Sequence, residues 1–209
     1  MIKINRVIWL LILSDILIVS SFGLISPIFA IFMKDGIPGG SVVAAGTAAT
    51  VYWLVKSVLQ LPFSLYLDKK RHKLSFLYVG TFLIIMVPII YAIAKDVYWI
   101  YAAQIFYALG AAMAVPTWLC LFTMHIDSKH RGFEWALWST SIGLGTALAA
   151  FLGAELVGII GFKVLFFIVS GISFLGFLIL IGLSRKHLIP EKKVKRTSHI
   201  HKASAAVKK

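Results

Sequence analysis

Residues 64–73, SLYLDKKRHK, lie between two long apolar stretches. Within them a single carboxylate, Asp68, is followed by a cluster of Lys and Arg side chains. The apolar segments on either side are each long enough to cross a bilayer, so this short hinge must emerge into water at a membrane face. Its excess of cations indicates the cytoplasmic face. The stretch therefore predicts both a membrane-spanning hairpin and its orientation.

The composition of the chain is that of an integral membrane protein. Apolar residues make up 60% of its 209 residues and the mean hydropathy is +0.92, whereas soluble domains are about 45–50% apolar. The predicted fold is an all-α membrane protein with six transmembrane helices, followed by a basic cytoplasmic tail, 185–209, that we expect to be disordered. The six spans cover about 7–33, 42–67, 74–94, 97–124, 133–160 and 164–183.

The charge distribution predicts the topology. Of the 21 Lys and Arg residues, all except Lys34, Lys56, Lys95 and Lys163 fall on one side of the six predicted spans. The positive-inside rule then places both termini in the cytoplasm, as expected of a multi-pass protein of the cell membrane. The net charge of +13 thus follows from topology, and the expected partners are the lipid bilayer and a small-molecule or ion substrate rather than nucleic acid.

Several motifs resemble those of the major facilitator superfamily. The pattern Ser64-x-x-x-Asp68-Lys69-x-Arg71-His72-Lys73 is similar to the loop signature between helices two and three of that family, Gly-x-x-x-Asp-Arg/Lys-x-Gly-Arg/Lys-Arg/Lys. The glycines that follow Arg131-Gly132 resemble its fifth helix, and residues 161–166, GFKVLF, resemble the start of its sixth. The resemblance covers residues 7–184 and implies one six-helix half of such a transporter.

The chain also departs from the family pattern. Ser64 and Arg71 replace both glycines of the loop signature, Gln104 takes the place of a common arginine of the fourth helix, and Ala149-Ala150 replaces the Gly-Pro pair of antiporters. Neither proton coupling through that arginine nor the antiporter class is therefore predicted. The substrate, the coupling ion and the direction of transport stay open.

The family normally encloses its site between two six-helix halves, and the resemblance covers one. Two copies inserted in the same orientation can reproduce that arrangement around a twofold axis along the membrane normal. We therefore expect a gradient-driven secondary transporter of a small polar or charged solute that works as a homodimer by alternating access. Two alternatives stay open: pairing with a second half-transporter chain, and a non-transporting subunit for membrane interaction or assembly.

Two charged residues within the predicted spans are candidates for substrate or ion contact. Asp15 and Lys56 lie at similar depths, about 14 and 18 Å from the cytoplasmic boundary at 1.5 Å per helical residue. A charge at the centre of a spanning helix costs about 2.5–3.5 kcal/mol on insertion scales. If helices one and two are neighbours, the two side chains could form an ion pair, which would serve either the substrate or the structure.

Uncharged residues complete the candidate substrate site. Trp53 shares a helix face with Lys56, and Gln104 and Tyr107 share a face of the fourth helix. The resemblance implies that helices one, two, four and five line the cavity. Ordinary helix-interface contacts are the competing explanation for these three residues.

The loop signature carries a second candidate site. In the resembling family its charges act as a latch that stabilises one access state, which would assign a cytoplasmic gate to Asp68, Lys69 and Lys73. Arg131, at the end of the fourth helix, is a candidate partner for Asp68. The simpler explanation for the cations is topology, although Asp68 adds nothing to positive-inside orientation.

The sequence offers no enzyme chemistry. It contains no nucleophile elbow, no metal-ligand spacing of His and carboxylates and no phosphate-binding glycine loop. We predict neither catalytic residues nor a metal or other cofactor.

Overall fold

The computed structural model describes residues 4–69 and 73–183, with the side chains of 4–67 and 74–183. All regular structure in these ranges is helical, and five of the helical segments are long and apolar enough to cross a membrane, which confirms the all-α membrane fold class. The elements are α1 (Arg6–Gly23), a 3-10 turn (Ser26–Ile28), α2 (Phe29–Asp35), α3 (Val42–Lys69), α4 (Lys73–Ile93), α5 (Val97–His125) and α6 (Arg131–Ile181).

Local chemistry explains where several helices begin. Asn5 accepts a hydrogen bond from the backbone N–H of Val7 at the start of α1, and Asp96 accepts those of Tyr98 and Trp99 at the start of α5. Pro27 has no N–H to continue α1, so the first apolar segment passes through the 3-10 turn before α2.

The last two predicted spans follow one another directly in α6, an element of 51 residues in which a kink separates two helices. A straight helix of that length would measure about 76 Å, more than twice the hydrocarbon thickness. The backbone turns at Gly161, where φ is 75° and ψ is 166°, a combination that is almost restricted to glycine. Gly161 therefore divides α6 into an outgoing arm, 131–160, and a returning arm, 162–181.

Both arms of α6 pack against α1, in opposite directions. Along the outgoing arm, Gly145 faces Ser20 and Gly153 faces Leu24, so this arm runs parallel to α1. Along the returning arm, Ser173 bonds to Ser21 with 2.7 Å between the hydroxyl oxygens, and Gly176 faces Ser14, so this arm runs antiparallel. The returning arm also covers α4, where the Ser170 hydroxyl donates to the carbonyl oxygen of Ile85.

Helix α5 lies at the centre of the bundle and α3 lies at its edge. In the most apolar 18-residue stretch of each helix, 50% of the residues of α5 are buried inside the protein, compared with 17% of those of α3. The backbones of α4 and α5 meet at Gly80 and Gly110, where a Cβ atom on Gly80 would lie 2.6 Å from the Gly110 carbonyl oxygen. Because α3 packs mainly along α5 and α2, with ring contacts from Phe63 and Tyr66 to Phe76 of α4, much of its surface is left uncovered.

Replacing Gly161 with alanine is expected to lower the free energy of unfolding by about 1–3 kcal/mol, because a Cβ atom is strained at this backbone conformation. No atom lies within 4 Å of the position a Cβ would take, so the cost arises from the backbone alone. Equilibrium unfolding in detergent measures it. Gly158→Ala is the matched control: this position is helical and also faces open space, and its stability should be unchanged or higher. Equal stability of the two variants would contradict the prediction.

Candidate functional site

Two cavities of about 370 Å³ each lie between α1, α3 and α5. The first, which we name the Asp15 cavity, is also lined by α4 and by both arms of α6. The second, the Gln104 cavity, contains Ser26, Ala49 and Trp53 in its wall. Since the Asp15 cavity reaches Leu77 near the start of α4 and the Gln104 cavity reaches Tyr91 near its end, the two cavities occupy opposite halves of the bundle.

A set of three rings separates the cavities. Phe22 and Tyr107 stack with 5.2 Å between ring centroids, and Tyr52 lies 4.5 Å from Tyr107 by the same measure. All three rings line both cavities. We call this set the ring partition. Its three rings belong to α1, α3 and α5, and they pack these helices together between the two cavities.

Asp15 is held by a tryptophan of the outgoing arm. The indole N–H of Trp138 donates to the Oδ2 atom of Asp15 at 2.7 Å. Trp138 is itself fixed by other indoles, with centroid distances of 5.2 Å to Trp118 and 5.6 Å to Trp135. Among the residues that the structure describes, no other group donates to the Asp15 carboxylate, so its second oxygen is available to a ligand in the cavity.

The ion pair between Asp15 and Lys56 does not form, and that expectation was wrong. The Lys56 ammonium lies over two rings, 4.7 Å from the centroid of Trp53 and 5.6 Å from that of Tyr52, and it lines neither cavity. The reason is the position of α5: Tyr107 contacts both Phe22 of α1 and Tyr52 of α3, so a ring separates the helices that would have to meet.

The structure brings the remaining substrate-site candidates to the cavities. Tyr107 lines both cavities, whereas Gln104 and Trp53 line the Gln104 cavity. Sequence reasoning missed Phe22, Tyr52, Trp118 and Trp138 as site residues. A signal existed for Trp138, which lies two helical turns before Gly145 on the same face, and Gly145 packs on α1. Nothing in the sequence marks the other three among its many aromatic residues.

The proposed latch falls largely outside the described part of the chain. Residues 70–72 and the side chains of Asp68, Lys69 and Lys73 lie beyond it. Arg131 is exposed and begins α6, so its placement at the end of the fourth helix was wrong: α5 already ends at His125. Beside it, the fully buried Glu134 accepts a hydrogen bond from the backbone N–H of Asp127 and so holds the loop between α5 and α6.

The described side chains offer no evident metal centre. No group of three or more His, Cys, Asp or Glu residues comes together in these parts of the chain. What the arrangement can do is enclose a small ligand against aromatic walls, with a carboxylate in one cavity and an amide in the other.

Known structures share this fold. A mutant of the peptide transporter POT in complex with alafosfalin superimposes with a TM-score of 0.72 at 16% identity, and the same mutant without a named ligand does so with a TM-score of 0.70 at 18% identity. Each match covers 96% of this chain and 44% of the other, so this chain spans less than half the length of those transporters. No curated protein matches the sequence significantly.

A family model described as Major Facilitator Superfamily matches residues 11–208. This family and the similar structures are transporters rather than enzymes, in agreement with the expectation from the sequence. The match extends over most of the chain, and the helical fold agrees with it. The protein is an integral membrane protein that belongs to the Major Facilitator Superfamily.

Proposed function

We propose that the protein is a gradient-driven secondary transporter of a small polar or charged solute. The observation that carries the proposal is the pair of cavities on either side of the ring partition. A carrier that works by alternating access needs a binding region near the membrane midplane that can open to either side. Two cavities that meet at the ring partition fit that requirement, because a small displacement of α1, α3 or α5 would join or part them.

The topology we propose has six crossings with both termini in the cytoplasm. The two arms of α6 run in opposite directions along α1, which supports counting them as separate crossings. With this orientation the Asp15 cavity opens on the cytoplasmic half and the Gln104 cavity on the outer half of the cell membrane. The cytoplasmic hinge around Asp68 then lies on the side where a latch would act on the inner gate.

A second six-helix unit is part of the proposal, and a second copy of this chain is our first candidate for it. The surface of α3 exposes large apolar side chains, among them Val58 and Leu61 at 70% exposure each. On the outgoing arm of α6, Gly143 faces open space, as does Gly132 at the start of the arm. Such small residues allow helices to approach closely in membranes. In a homodimer, the surfaces of α3 and of the outgoing arm would pack against the same surfaces of the second copy, around a twofold axis along the membrane normal.

Measurement of mass tests the assembly. Light scattering of the protein in nanodiscs, corrected for lipid and scaffold, should give twice the 23.1 kDa of the chain. A stable monomer would contradict the homodimer and direct attention to a separate partner chain.

Cysteine labelling tests the carrier against an assembly subunit. Cys120 is the only cysteine, so a Cys120→Ser background leaves single introduced cysteines as reporters. Ala49→Cys in the Gln104 cavity should react with a membrane-impermeant maleimide from the outside, and Ala111→Cys in the Asp15 cavity from the inside. Leu148→Cys, on the exposed surface of α6 near the middle of its outgoing arm, serves as the control. If both cavity positions are as unreactive as Leu148→Cys, the chain is not a carrier.

A further inference from the structure

The Asp15 cavity has a single charge in its wall. Asp15 is the only ionisable carboxylate or cation among the side chains that line it, and the other polar lining groups are hydroxyls and indole N–H groups. A lone carboxylate in a largely apolar, membrane-embedded cavity is costly unless a cation faces it. Lys56, the cation within the predicted spans, lies over Trp53 and Tyr52 and does not line the cavity.

The geometry of Asp15 leaves room for such a cation. Trp138 occupies one carboxylate oxygen and thereby fixes the orientation of the group. The second oxygen has no donor among the described residues. A fixed carboxylate with one free oxygen can accept a charge-assisted hydrogen bond from an ammonium group or lie against a quaternary one.

The walls around Asp15 suit a cation with an apolar body. Indole and phenol rings from α3, α5 and α6 line the same cavity as the carboxylate, namely those of Tyr52, Tyr107, Trp118 and Trp138. Aromatic faces attract cations, most strongly for tryptophan. The protein itself uses this chemistry nearby, where Trp53 and Tyr52 hold the Lys56 ammonium without a carboxylate. The volume of about 370 Å³ falls within the usual range of small-molecule sites, roughly 300–1,000 Å³.

We propose that the Asp15 cavity binds a monovalent organic cation with an aromatic or aliphatic body, which pairs with Asp15 and packs against the surrounding rings. This inference rests on the proposed transport function and names the class of its solute. It assigns Asp15 to charge recognition, Trp138 to orienting Asp15, and Trp118 to the aromatic wall.

Direct binding to the purified full chain tests the proposal. Benzyltrimethylammonium, whose charge does not titrate, and phenylacetate, an anion of similar size, are titrated separately by isothermal calorimetry into the protein in nanodiscs. We expect the wild type to bind the cation and not the anion. Asp15→Asn should weaken cation binding by about tenfold or more, whereas its amide oxygen can still accept the Trp138 hydrogen bond and preserve the fold.

Glu155→Gln is the matched control, because it removes one negative charge at an exposed position of the outgoing arm and should bind like the wild type. Equal affinity of wild type and Asp15→Asn overturns the proposal, and so does a wild type that prefers the anion or binds neither compound. The comparison of the two ligands on the wild type holds even if the Asp15 variant fails to fold.

Uptake of labelled benzyltrimethylammonium into proteoliposomes separates this inference from the proposed function. Binding that depends on Asp15 without uptake would uphold the cation site and contradict transport of this solute class. Gradient-driven uptake of another solute, with no cation binding, would uphold the carrier and overturn the cation site.

Discussion

Replacing Gly153 with leucine is expected to prevent the native packing of α1 against the outgoing arm of α6. A Cβ atom at this position would collide with the backbone of Leu24, whose Cα and carbonyl carbon would both lie 2.8 Å away. Backbone atoms cannot rotate aside as a side chain can, so one helix must move. Overpacking of this kind costs about 1–3 kcal/mol for small additions and more for larger ones. We expect the Leu variant to lose its monodisperse elution in detergent, and Gly153→Ala to unfold at a lower denaturant concentration than the wild type.

The same arm supplies the control for this prediction. Gly158 is also helical, but nothing lies within 4 Å of the position its Cβ would take. Gly158→Leu should elute and unfold like the wild type, since the added side chain enters open space. Equal loss of folded protein in both leucine variants would mean that α6 does not approach α1 as closely at Gly153 as the structure has it.

Replacing Tyr107 with alanine is expected to join the two cavities. Tyr107 lines both of them and contacts the other two rings of the partition, Phe22 and Tyr52. Because Tyr107 is the ring that contacts both Phe22 and Tyr52, its removal leaves a gap between those two side chains. Ala111→Cys, in the Asp15 cavity, should then react with an impermeant maleimide added on the outside. Its rate should be similar to that of Ala49→Cys in the Gln104 cavity.

Tyr98→Ala is the control for this experiment. Tyr98 lies on the same helix, is 74% exposed and lines neither cavity. Its replacement should leave the labelling of Ala111→Cys at the rate of the parent protein. If Tyr107→Ala also leaves that rate unchanged while the protein stays folded, the three rings do not separate the cavities. Loss of a fully buried aromatic ring costs about 3–5 kcal/mol, and loss of the half-buried Tyr107 ring should cost less; a thermal melt therefore accompanies each labelling rate.

The sequence by itself determined the class of fold and the family. Long apolar runs leave hydrogen-bonded helices as the solution for a chain in hydrocarbon, and the hinge at 64–73 with the glycines of the fifth helix carried the family resemblance. Asp15 also stood out from the sequence alone, because charge is costly at that depth and therefore conspicuous there.

Only the tertiary structure decided what Asp15 meets. Depth along a helix is fixed by residue number, so the matching depths of Asp15 and Lys56 could be read directly; which helices are neighbours depends on side-chain packing between elements far apart in the chain. The structure has α5 between α1 and α3, so Tyr107 separates the two charges. Trp138, more than 120 residues beyond Asp15, takes the place predicted for Lys56 because glycines of the outgoing arm bring that arm close to α1.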